Sequence, residues 1–128
     1  MLTSCSKENF KIFVSGSSRS GKTVFVKEFL QNIDIFCKST PKVITLVYKV
    51  FQPIYQEMGV DHLVQDGDGL RETLMNIANG ESMLVIFDDL INSESLTKLS
   101  DLFVVDGRHM NLSMIFISQK LFLNNDSF

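Results

Sequence analysis

Cysteine, histidine and long apolar runs are all scarce in this chain, and each scarcity removes a class of function. The two cysteines, Cys5 and Cys37, show no Cys-x-x-Cys spacing, so free thiols in a reducing compartment are expected rather than a disulfide framework. The two histidines, His62 and His109, have no Cys or His neighbours at ligand spacing, which argues against a metal site built from side chains alone. No apolar run approaches the roughly 18 residues that cross a bilayer, and the N-terminus lacks the apolar core of a signal peptide. A soluble intracellular protein with no membrane partner is the expectation. A net charge of −3 offers no bulk attraction to a polyanion, so any grip on nucleic acid must come from a local patch or loop. Internal repeats, linkers and low-complexity tracts are also missing.

What is present fits one ordinary globular domain. With 128 residues, 45% of them apolar and 21% charged, the chain is long enough for one core and too short for two. Strand-like and helix-like stretches alternate along it. Phe10 to Ser15 sets Phe10, Ile12 and Val14 on one face with Phe13 behind, as a strand buried on both sides does. From Lys22 to Ile33 the period switches, with Phe25, Val26, Phe29, Leu30 and Ile33 at helical spacing. Val43 to Tyr48 is a second strand, and Pro53 opens a short helix through Met58. Residues 65–69 read as a loop, and Leu70 to Ala78 as a helix stopped at Gly80. Met83 to Phe87 is the third strand and the most apolar. Leu96, Leu99 and Phe103 mark one more helix, and Leu112 to Ile117 a fourth strand. The alternation predicts an α/β fold, a mainly parallel sheet with helices on both faces.

Between the first strand and the first helix lies Gly16-Ser17-Ser18-Arg19-Ser20-Gly21-Lys22-Thr23. This is the pattern GxxxxGK[ST], in the strand–loop–helix context that gives it meaning. The two glycines let the backbone turn tightly and aim successive N–H groups inward, where a Cβ would obstruct them. Those amides and the positive end of the following helix make a nest for a β-phosphate. Lys22 is a flexible point charge for the β- and γ-phosphates, and the Thr23 hydroxyl is placed for Mg²⁺. A Gly/Ser-rich turn with a solvated lysine is the bland alternative, and it leaves the flanking strand and helix unexplained. ATP and Mg²⁺ are therefore the expected cofactors.

Three further features belong with that loop. The run Met83-Leu84-Val85-Ile86-Phe87 ends in Asp88-Asp89; in isolation it is any buried strand running into an acidic turn. Downstream of a phosphate loop, carboxylates at the carboxyl end of a parallel strand face the same crevice. Asp88 is then the residue to hold Mg²⁺ against Thr23, through water, and Asp89 the one to orient or deprotonate the attacking water. Asp89 stands where a glutamate is common, one methylene shorter, which points to slow turnover. Gln119, after Ile115-Phe116-Ile117-Ser118, is placed to sense the γ-phosphate, or else merely caps a strand. Arg108 is either a solvated surface cation or a guanidinium that reaches a neighbouring subunit's nucleotide.

The set GSSRSGKT, LVIFDDL and GRHMNLSMIFISQ resembles the FtsK/HerA superfamily of DNA-pumping ATPases, and more narrowly the genome-packaging ATPases of large DNA viruses and of Polinton or Maverick transposons. The resemblance runs from Phe10 to about Phe122. Its most specific part is Arg108-His109-Met110-Asn111-Leu112-Ser113 leading into Ser118-Gln119. It implies a three-layer P-loop NTPase of the RecA/ASCE type in which Lys22, Thr23, Asp88, Asp89 and Gln119 fill the family's positions, and Arg108 falls where the trans-acting arginine often sits. It further implies a homo-oligomeric ring acting on double-stranded DNA with capsid or other packaging proteins, in a host nucleus or cytoplasm. Members of that family continue through a fifth strand and further helices, so the domain at 1–128 is expected to be truncated after Phe128. Two other readings stay open: a non-catalytic or remnant nucleotide-binding module, and a small nucleotide kinase using Asp88 or Asp89 as base. A GTP switch is disfavoured by the lack of Asn-Lys-x-Asp, and a transport-type ATPase by the lack of an LSGGQ-like stretch.

Overall fold

In the computed structural model, residues 10–15, 21–36, 40–88, 104–105, 108–109 and 112–118 are described. Five strands pair into one sheet: β1 (Lys11–Ser15), β2 (Val43–Tyr48), β3 (His62–Gln65), β4 (Met83–Asp88) and β7 (Leu112–Ser118), all but β3 rich in β-branched and aromatic residues. Their spatial order is β1-β7-β4-β2-β3, and every pairing is parallel. Parallel pairing requires crossovers over the faces, and the helices supply them. Helices α1 (Lys22–Gln31) and α2 (Ile33–Phe36) follow β1, and α3 (Leu70–Ala78) lies between β3 and β4 in the chain.

Alternation along the strands sorts the core into two layers. Leu84 and Ile86 of β4, with Ile115 and Ile117 of β7 and Leu46 of β2, pack with Val26, Phe29 and Leu30 of α1 and with Ile33. The intervening Met83, Val85 and Phe87, with Met114, Phe116 and Val47, pack with Leu74 and Ala78 of α3. The central strands β4 and β7 are buried along their whole length, so their apolar runs are continuous rather than alternating. On the α3 side Phe13, Phe116 and Phe87 sit in register across β1, β7 and β4. Their rings stack at 5.0 and 5.3 Å between centroids. The α/β sheet with helices on both faces is thus the predicted fold.

Several local expectations need correction. The helix expected over 22–33 breaks at Asn32, whose N–H and side chain turn back onto Phe29, Leu30 and Glu28 carbonyls. Phe25 does not join the apolar face and is 54% exposed. At 100° per residue it lies about a quarter-turn from the stripe centred on Val26, Phe29, Leu30 and Ile33. The stop after α3 begins one residue before Gly80, since Asn79 is itself left-handed at φ 49°. The short helix expected to open at Pro53 is present as a 3₁₀ turn, Pro53–Glu57, capped by Met58.

The sequence pattern misses β3 altogether, because only Leu63 and Val64 of its four residues are apolar. Its place is set by Asp61, whose N–H donates to the Ile44 carbonyl at 2.7 Å while its carboxylate accepts the Ile44 N–H at 2.8 Å. Counting β3, the strand ending at Asp88 is fourth along the chain rather than third. A second omission is the antiparallel pair β5 (Val104–Val105) and β6 (Arg108–His109). Asp106-Gly107 stands between them in the sequence, and a two-residue Asp-Gly link is a hairpin signal. With these included, Leu112–Ser118 is the seventh strand among the described residues rather than the fourth. The helix expected around Leu96–Phe103 lies outside the described residues, as do Cys5 and Cys37.

Candidate functional site

All five strands of the main sheet point the same way, so their carboxyl ends line one edge. In open α/β sheets that edge is where ligands bind. β1 ends there at Ser15, next to β7 ending at Ser118, next to β4 ending at Asp88, next to β2 ending at Tyr48. β4 occupies the middle of the sheet, and β7 stands between it and β1. Two inter-strand spacings of about 4.8 Å therefore separate the β1 and β4 ends, a gap of roughly 10 Å.

Gly16, Ser17, Ser18, Arg19 and Ser20 lie outside the described residues; the loop is seen from its last glycine onward. Gly21 is left-handed, φ 85° and ψ 18°, and caps α1. A Cβ on Gly21 would meet no atom within 4 Å. The dihedral, not crowding, is what favours glycine there. The cap contributes no side-chain hydrogen bond, and the first turn of α1 carries no acidic residue. The first-turn N–H groups and the helix dipole put positive potential at this end of α1. Lys22 and Thr23 follow at once, both half-buried.

Asp88 is 8% exposed. The pleat puts it on the α1 side of the sheet, in line with Leu84 and Ile86. There the hydroxyl of Tyr55 donates to its Oδ2 at 2.5 Å, across a separation of 33 residues. Tyr55 belongs to the 3₁₀ turn after β2, is 2% exposed, and was not among the residues singled out by motif. Nothing in its local pattern marks it, because the contact depends on how β2 and β4 pair. Glu57 of the same turn forms an ion pair with Lys27 of α1 at 3.3 Å.

Asp89 and Gln119 lie outside the described residues. Their preceding neighbours, Asp88 and Ser118, end adjacent strands and are both buried. Arg108 is in β6, and its side chain lies outside what is described.

The model of the family described as the poxvirus A32 protein matches residues 2–123. The chain belongs to that family. The poxvirus A32 family is one of viral genome-packaging ATPases, so the resemblance carried by the motifs holds at that level. The stretch matched to the A32 family contains every candidate residue from Gly16 to Gln119. A search of curated proteins finds no match.

Membership in the A32 family implies a nucleotide and a divalent metal, and the residues present fit them. Among the described residues no group of three His, Cys, Asp or Glu could enclose a metal ion. Mg²⁺ in nucleotide sites needs no such cage, because one or two protein oxygens suffice beside phosphate and water. Thr23 and Asp88 provide two oxygen donors of that kind, on the α1 layer and on the strand that faces it. Among the described residues no helix is long and apolar enough to cross a membrane.

Proposed function

We propose that the chain is an ATP-hydrolysing subunit of a DNA translocase of FtsK/HerA type that packages viral double-stranded DNA. The observation that supports it most is the buried Asp88 at the end of the central strand, on the same side of the sheet as the helix opened by Gly21, Lys22 and Thr23. A strand intervenes between it and β1. That leaves the width a triphosphate needs between a phosphate loop and a carboxylate.

In this reading Gly16 to Gly21 wrap the β-phosphate with backbone amides, and Lys22 neutralises charge on the β- and γ-oxygens. The Thr23 hydroxyl and Asp88 hold Mg²⁺, Asp88 through water. Bound there, Mg²⁺ would supply charge neutralisation to the phosphates. Asp89 orients the attacking water and accepts its proton as the γ-phosphoryl group of ATP is transferred to that water and ADP leaves. Gln119, the residue after β7 in the sequence, senses the γ-phosphate. Arg108 reaches the nucleotide of the next subunit in a homo-oligomeric ring, where a guanidinium stabilises the transferring group. Contacts with DNA phosphates rather than bases make movement independent of sequence, and capsid or other packaging proteins recruit the motor.

The test is ATP turnover with and without duplex DNA, in wild type and Lys22→Ala. Duplex-stimulated release of phosphate by the wild type, lost in the variant, is expected. Equal rates in the two proteins would leave only a nucleotide-binding module. Transfer of phosphate to a nucleotide instead of water would make the chain a kinase.

A further inference from the structure

The 3₁₀ turn Pro53–Glu57 is fastened on two sides. Tyr55 donates to Asp88 of β4, and Glu57 pairs with Lys27 of α1, one helical turn beyond Thr23. The turn thus bridges the two elements that carry the proposed magnesium-holding oxygens. It is also anchored from below, since Tyr55 and Met58 are buried in the α1-side core. The Tyr55 ring lies against Tyr48 at 5.5 Å and Phe51 at 5.8 Å. Its backbone N–H donates to Gln52, and its carbonyl accepts from Met58.

A tyrosine buried this completely has its hydroxyl position dictated by its ring. The aspartate opposite has a broad terminal torsion, so a fixed donor on one oxygen narrows its carboxylate orientation. We infer that Tyr55 is a positioning residue for the metal site. By holding Oδ2, it sets the plane of the Asp88 carboxylate and so restricts where the other oxygen meets a magnesium-bound water. Outer partners of this kind orient metal-binding carboxylates and commonly govern metal affinity. The inference rests on the reading of Asp88 as the Mg²⁺-holding residue, and the experiment separates the two.

Binding of a fluorescent, non-hydrolysable ATP analogue by the full chain is titrated with Mg²⁺ in wild type, Tyr55→Phe and Asp88→Asn. Tyr55→Phe keeps the ring and removes only the donor. Its binding in EDTA should match wild type, while the Mg²⁺ concentration at half-effect rises about tenfold. An unchanged half-effect concentration in Tyr55→Phe, with the response lost in Asp88→Asn, overturns the positioning role alone. A wild-type response in Asp88→Asn overturns both readings.

A second measurement covers the case in which Tyr55→Phe fails to fold. The chain has two tyrosines, so 3-fluorotyrosine labelling yields two ¹⁹F resonances, which Tyr48→Phe assigns. The Tyr55 resonance should shift when Mg²⁺ joins the nucleotide, and should not do so in Asp88→Asn. A Tyr55 resonance indifferent to Mg²⁺ overturns the inference.

Discussion

The two faces of the sheet are built from the same strands yet do different work. The α3 face is packed by apolar side chains, Leu74, Ala78, Val85, Met114 and the Phe13–Phe116–Phe87 stack among them. The α1 face is equally apolar in its middle but carries charge and hydroxyl groups at the carboxyl end, where Asp88 meets Tyr55. Burying a carboxylate is unfavourable unless it is hydrogen-bonded. Asp88 meets that condition through Tyr55, so the α1 face holds a charged group at the crevice with a hydrogen-bond donor in place.

That division can be broken most forcefully at the ring stack. Phe116→Ala removes the middle ring and should lower the unfolding free energy by about 3–5 kcal/mol. Chemical denaturation measures this, with nucleotide affinity per folded molecule unchanged. Loss of nucleotide binding in the folded fraction would show that the faces are not separable. The complementary change is Lys22→Ala, expected to cut ATP turnover by about 100- to 1,000-fold with the denaturation midpoint unmoved. Both effects on one variant would again erase the contrast.

Smaller changes sharpen the picture away from the crevice. Asp61→Ala deletes the carboxylate that accepts the Ile44 N–H and should cost about 1 kcal/mol. Hydrogen exchange should then quicken along the β2–β3 edge while β4 and β7 stay protected. Lys27→Met removes an exposed ion pair and should change stability by about 0.5 kcal/mol or less. A larger loss, or one insensitive to salt, would mean that the tie between α1 and the 3₁₀ turn carries more of the site's rigidity than surface pairs usually do.

Legibility varied with how local each feature was. Val43–Tyr48 and Leu70–Ala78 have the ends that their patterns predict, because β-branched runs and an i, i+4 stripe act within a few residues. Gly21, the last glycine of the GxxxxGK[ST] pattern, has the left-handed backbone that favours glycine. β3 was not, since an edge strand half in water needs few apolar residues and depends on Asp61 bonding to β2. Tyr55 was invisible for a stronger reason: its partner is 33 residues away.

Residue types and their spacing were enough to establish a parallel α/β domain and an acid at the end of a buried strand, because each is a statement about neighbours in the chain. Strand order is a different kind of fact. It depends on which apolar runs bury each other most completely, and so on contacts between segments far apart in sequence. Placing β7 between β1 and β4 and bringing Tyr55 onto Asp88 both required the folded chain.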